Sequence, residues 1–300
     1  MKDQRAMPFV AGVEHRFVVA NGMRFHVAEA GPAEGEPVLF LHGYPQHWYV
    51  WRHVVPLLSD RYRLIMPDLR GFGWSDATPG GRGYSTDARV DDVLALLDAL
   101  GLREPVRLVG HEWGGWLGFM ACMRAPQRFR QYLALNIVHP WPDRRAMCWS
   151  AWRMWYTALL EYPLLGAMVV RHWPGFTRFL LRSGVSDRSV WTPEVVDEFA
   201  GSIRTAERAR ASQALHWQYV LHDIPRLVLG RFREQRLAVP TLILFGTDDF
   251  ALSPRVLSGG ERHADELTVR LVPDCGHYIA DERPDLVAAA VLEFFGGRGA

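Results

Sequence analysis

Three hundred residues, 49% of them hydrophobic, suffice for one catalytic domain with an insertion rather than two independent domains. The 34 basic and 33 acidic residues leave a formal charge of +1, which excludes the electrostatic footprint of a nucleic-acid or anionic-membrane binder and points to neutral small molecules. Three cysteines without metal-ligand spacing argue against a disulfide framework and fit a reducing cytoplasm, and neither an apolar leader nor a membrane span is expected.

His15 to Ala20 and Met23 to Ala28 alternate in character around Asn21-Gly22, which predicts an opening β-hairpin. Pro37 to Leu41 reads as a short buried strand, Trp48 to Leu58 as a helix, and Arg63 to Met66 as the next strand. Val90, Val93, Leu94, Leu97 and Leu100 then recur at helical spacing, with Gly101 placed to end that helix. The apolar run Val106-Arg107-Leu108-Val109 leads into Gly110-His111-Glu112-Trp113-Gly114-Gly115 and a helix from Trp116 to Arg124. Tyr132 to Val138 reads as a buried strand, whereas Pro140 to Val239 carries helix patterns and almost no strand pattern. Strand rhythm resumes with Thr241 to Phe245 and Glu266 to Val272, before an amphipathic helix from Pro284 to Phe295. The expected architecture is α/β, a mostly parallel central sheet flanked by helices. Its core is formed by residues 1–139 and 240–300, with a helical cap at 140–239 inserted between them.

Four signals fall at predicted carboxyl ends of strands, where ligands bind in such sheets. His42-Gly43-Tyr44-Pro45 follows the strand ending at Leu41, and its glycine lets the backbone aim a peptide N–H at a reacting oxygen. Glu112 occupies the reactive position of a small-x-nucleophile-x-Gly elbow, a sharp strand-to-helix turn. Any covalent intermediate formed there is an ester on a carboxylate. Gly246-Thr247-Asp248-Asp249 and Asp274-Cys275-Gly276-His277 supply an acid and a histidine in the order nucleophile, acid, histidine. Asp249 is preferred to Asp248 because it holds the last position of the G-x-x-D pattern. Alone, Glu112 reads better as a surface carboxylate capping a helix N-terminus, and it is the elbow around it that favours the nucleophile. His42 and His111 read as supports, and Asp68 and Arg70 as braces of their loop.

The H-G-x-P motif at His42 to Pro45, the run Asp68 to Ser75, the G-H-x-W-G-G elbow, and Gly276-His277 with Asp281-Glu282-Arg283-Pro284 resemble those of α/β-hydrolases, epoxide hydrolases especially. The resemblance spans nearly the whole chain and implies an α/β-hydrolase fold with a cap. It implies that Glu112 attacks an epoxide carbon, that His277 oriented by Asp249 activates water against the ester, and that the backbone N–H groups of Tyr44 and Trp113 hold the oxyanion. The family ordinarily carries aspartate at the elbow, so Glu112 moves the carboxylate outward by about 1.5 Å, one C–C bond length.

The family also places two cap tyrosines on the epoxide oxygen. Matching the cap by eye puts Trp152 and His216 nearest those positions, with Tyr156 and Tyr219 as substitutes a few residues away. Seven tryptophans between Trp141 and Trp217 suggest an aromatic pocket for a bulky apolar or aromatic epoxide. Water is the only co-substrate implied, and neither a metal constellation nor a nucleotide fingerprint is present, so no cofactor is expected. The rival readings are a haloalkane dehalogenase-like hydrolase, for which Trp113 matches one halide donor, and a ligand-binding protein that kept the fold with weakened catalysis. The sequence sets no oligomeric state.

Overall fold

The computed structural model describes residues 5–297. Eight strands form one sheet: β1 (Val13–Ala20), β2 (Met23–Ala30), β3 (Glu36–Leu41), β4 (Tyr62–Pro67), β5 (Val106–His111), β6 (Phe129–Leu135), β7 (Thr241–Gly246) and β8 (Leu267–Val272). Their spatial order is β1-β2-β4-β3-β5-β6-β7-β8. β1 and β2 are antiparallel, β2 meets β4 antiparallel, and every pairing from β4 to β8 is parallel. Asn21 and Gly22 both adopt positive φ, as a two-residue hairpin turn requires.

β3, β5 and β7 are interior strands of the sheet and are apolar along most of their length, because helices cover both faces and leave no solvent side. Alternation along β3 sends Leu39 and Leu41 to one face, against the helices Thr86–Ala99 and Trp113–Arg124, and Val38 and Phe40 to the other, against Trp51, Val287 and Phe295. Each such side chain contributes about 1.5–3 kcal/mol on burial, so the sheet is a stiff platform for whatever its carboxyl edge carries.

Three elements differ from expectation. The Trp48–Leu58 stretch is a 3-10 turn, Trp48–His53, followed by the single helical turn Val55–Leu58, because Pro56 lacks the N–H needed to extend one continuous helix. β6 lies three residues earlier than predicted, ending at Leu135, because Asn136 leaves the strand with φ 43°. The elbow helix starts at Trp113, directly after Glu112. Between β6 and β7 the described elements are all helical, from Arg144–Ser150 to Ile224–Val228. The longest of them, Ala206–Gln218, continues into a π-helical turn at Tyr219–Asp223. Thr86 Oγ1 donates to Asp223 Oδ2 at 2.8 Å, tying the core helix Thr86–Ala99 to that turn. Among the described residues no helix is long and apolar enough to cross a membrane, and Cys122, Cys148 and Cys275 are free thiols.

Candidate active site

Because β3, β5, β6, β7 and β8 run parallel, the segments that follow them meet at one edge of the sheet. Glu112 sits immediately after β5 with φ 50° and ψ −113°, a backbone state rare for a side-chain-bearing residue and common at functional turns. The elbow is closed by missing side chains: a Cβ on Gly110 would lie 2.6 Å from the Gly114 carbonyl oxygen, and one on Gly114 would lie 2.2 Å from that of Leu41. The helix therefore begins pressed against β3, which brings the loop after β3 onto the Glu112 carboxylate.

Glu112 Oε2 accepts hydrogen bonds from Tyr44 N and Trp113 N, each at 2.7 Å. The extra methylene is thus taken up by folding the side chain back over its own elbow, and one carboxylate oxygen fills the pair of N–H groups foreseen as the oxyanion hole. Burial pushes the Glu112 carboxyl up to about 7, against the charge of His277, the two backbone donors and the buried Arg89 guanidinium. A Cβ on Gly43 would lie 2.7 Å from Glu112 Oε2 and 2.8 Å from Glu112 Cβ. Gly43→Ala is therefore expected to lower turnover on the order of a hundredfold by displacing the carboxylate. Steady-state kinetics beside a thermal melt would check it, the melt reporting that the fold is retained.

Asp249 is fully buried and holds His277: His277 Nδ1 donates to Asp249 Oδ2 at 2.8 Å. That bond leaves Nε2 as the free ring nitrogen of a neutral His277. Burial alone would raise Asp249 and lower His277, but their mutual attraction and hydrogen bonding prevail, so the Asp249 carboxyl is held low and the His277 imidazole is raised. Asp249 Oδ1 accepts from Ala251 N and Leu252 N at 2.8 and 3.0 Å, while Asp248 instead accepts from Ser186 Oγ at 3.2 Å.

Several supports escaped the sequence reading. Asn136 Nδ2 donates to Asp249 Oδ2 at 2.9 Å and to the Gly276 carbonyl at 3.1 Å, bridging the acid and histidine loops. His277 N donates to the Gly184 carbonyl of the cap at 2.6 Å. Arg89 is buried with its guanidinium 6.0 Å from the Trp113 ring. The expected braces lie as described: His111 Nε2 donates to the His277 carbonyl at 2.8 Å, and His42 Nε2 accepts from Leu69 N at 2.9 Å. Asp68 gathers His26 Nδ1, Trp48 N and Trp74 N, while Arg70 Nε donates to Asp92 at 2.6 Å.

Glu112 and His277 line one cavity of about 60 Å³ beneath the cap, walled by Tyr44, Trp113, Tyr156, Tyr219, Phe250 and Tyr278. Tyr156 and Tyr219 reach it, and among the described residues neither hydroxyl has a protein hydrogen-bond partner. Burial raises both phenols above their ordinary value, so they remain protonated donors. Trp152, expected as a donor, is 73% exposed and lies outside this cavity. His216 lines it but is not a donor there. Its Nδ1 donates to the Ser212 carbonyl at 2.8 Å and burial pushes it down to about 4, leaving Nε2 as an acceptor. None of the seven tryptophans from Trp141 to Trp217 lines the cavity, and its volume is well below the roughly 300–1,000 Å³ of a typical small-molecule pocket. The expectation of a bulky substrate held by cap tryptophans is corrected accordingly: the walls are aromatic, but they enclose a compact space.

The model of the α/β hydrolase fold matches residues 36–284. A cis-3-alkyl-4-alkyloxetan-2-one decarboxylase of Shewanella oneidensis is 30% identical over 291 residues, covering 94% of this chain and 88% of its own. Epoxide hydrolase 2 of Siraitia grosvenorii is 44% identical over 126 residues, or 42% of this chain and 39% of its own. A solved epoxide hydrolase from metagenomes of hot environments superposes with a TM-score of 0.80 at 28% identity, covering 95% of this chain and 99% of its own. The chain belongs to the α/β hydrolase fold family, and epoxide hydrolases are among its relatives.

Proposed function

We propose that the protein opens a compact epoxide to a vicinal diol through an ester on Glu112. The observation that carries this reading is the fixed division of the Glu112 carboxylate: Oε2 is held by Tyr44 N and Trp113 N, leaving Oε1 to attack. As Oε1 bonds to an epoxide carbon, the ring C–O bond breaks and the departing oxygen takes a hydrogen bond, then a proton, from Tyr156 or Tyr219. Oε2 is then the ester carbonyl oxygen, already in the site where charge next develops. His277 Nε2 takes a proton from water and the hydroxide adds to the ester carbon; collapse releases the diol, whose second hydroxyl is protonated by His277, and the carboxyl proton left on Glu112 passes to the tyrosinate formed in ring opening, restoring carboxylate and phenol.

A single turnover in heavy-oxygen water tests this directly. The diol should leave with an unlabelled oxygen from Glu112, and peptide mass spectrometry should find the label in Glu112; turnover without label there would sink the ester. Tyr156→Phe and Tyr219→Phe are each expected to slow ester formation about a hundredfold while leaving hydrolysis of a formed ester nearly unchanged, a split that pre-steady-state quenching resolves. Turnover should rise with pH through about 7, because Glu112 must lose its proton to attack and His277 must be neutral to act as a base. A profile flat from about pH 5 to 9 would contradict both assignments.

A second reading, opening of a four-membered lactone, is favoured by the near full-length similarity to the Shewanella oneidensis relative named for an oxetan-2-one. Release of carbon dioxide in place of a diol distinguishes the two.

A further inference from the structure

The near-neutral balance of the whole chain hides a local asymmetry. Between residues 144 and 182 there are six arginines and one acid, Glu161. Among the described residues only Arg178 of the six is ion-paired, to Asp197 at 2.6 Å. The same stretch exposes large apolar side chains that a core would normally bury: Trp149 at 83%, Trp152 at 73% and Leu164 at 80%.

These side chains are ordered into rows. Trp149, Trp152 and Trp155 follow at three-residue spacing and are all exposed, the first on Arg144–Ser150, the second on Ala151–Met154 and the third capping that turn, with Arg145 four residues before the first. Phe179 and Arg182 share an exposed side of Pro174–Ser183, and the Trp155 ring meets that of Phe179 at 6.4 Å, joining the two rows. Met168 and Arg171 repeat the pattern on Leu165–His172, which packs against Pro174–Ser183. Tryptophan and leucine flanked by arginine suit the boundary between headgroups and acyl chains.

We propose that this face of the cap docks on an anionic lipid bilayer. Charge selects that occupant over a second copy of the chain, since two such arginine-rich faces would repel each other whereas acidic headgroups attract them. The inference stands apart from the reaction, but it connects to the cavity. Trp152 and Trp155 alternate with Met154 and Tyr156, which line it, so one segment has an outer side suited to lipid and an inner side on the cavity.

Flotation of the full chain with phosphatidylglycerol vesicles, compared with phosphatidylcholine vesicles, tests the proposal. The expected result is co-flotation with the first, a blue shift of tryptophan emission, and loss of binding as salt is raised to roughly 0.5 M. Arg145→Gln with Arg182→Gln should weaken binding at least about tenfold. Trp149→Ser with Leu164→Ser should abolish the emission shift while circular dichroism and turnover of a water-soluble epoxide stay unchanged. No flotation with either vesicle, flotation indifferent to lipid charge, or a dimer in sedimentation velocity that the Trp149→Ser, Leu164→Ser variant dissolves would each overturn it, the last in favour of a second copy.

Discussion

His277→Gln is expected to stall the protein after its first chemical step. The glutamine has no ring nitrogen to take a proton from water, but Glu112 and the two backbone donors on its Oε2 are untouched. Ester formation should proceed and its hydrolysis should fall by a factor of about a thousand or more, within the range for loss of a general base. Intact-mass spectrometry after addition of a reactive epoxide should show the chain heavier by one substrate, with the added mass on the Glu112 peptide. A variant that accumulates no adduct and still turns over would remove His277 from the mechanism.

Glu112→Gln should abolish turnover, by at least about a thousandfold, since an amide oxygen is a poor nucleophile and cannot be regenerated as a carboxylate. Its effect on stability should run the other way. The Glu112 carboxyl is raised from an ordinary value of 4.5 to about 7 by burial, so between those values the folded chain keeps a proton that the unfolded chain has released. Stability contributed at this site is therefore full below 4.5, falls as pH rises, and is lost above 7. A shift of this size corresponds to about 3 kcal/mol. The glutamine, which never ionises, should melt at a higher temperature than the parent at pH 8 and at nearly the same temperature at pH 4. Equal melting temperatures at pH 8 would mean that the carboxylate is solvated.

The sheet was readable because each central strand is a short apolar run ended by Gly, Asp, Asn or His, and Asn21-Gly22 can hardly be anything but a tight turn. The elbow was readable for a similar local reason: Gly110, Gly114 and Gly115 mark a backbone too crowded for side chains. Residues of the cap were harder to read. Its first helical stretch passes from α-helix at Arg144–Ser150 to 3-10 at Ala151–Met154 and back at Thr157–Glu161, so a constant 3.6-residue period drifts out of phase. The inward position moves from Trp152 to Tyr156 as a result. The π-helical turn at Tyr219–Asp223 shifts the phase again and carries Tyr219, not only His216, to the cavity. Asn136 left no local signal at all: its role depends on a positive φ and on loops 113 and 140 residues away in the chain.

The hydrogen bond from His277 N to Gly184 gives the cap a clasp on one side, and Thr86 with Asp223 supplies another. A lid fastened at those points cannot lift bodily without dragging the imidazole out of line. Entry of a molecule larger than the enclosed space is therefore expected to need local movement of a wall segment such as Thr157–Glu161, not lifting of the cap as a whole.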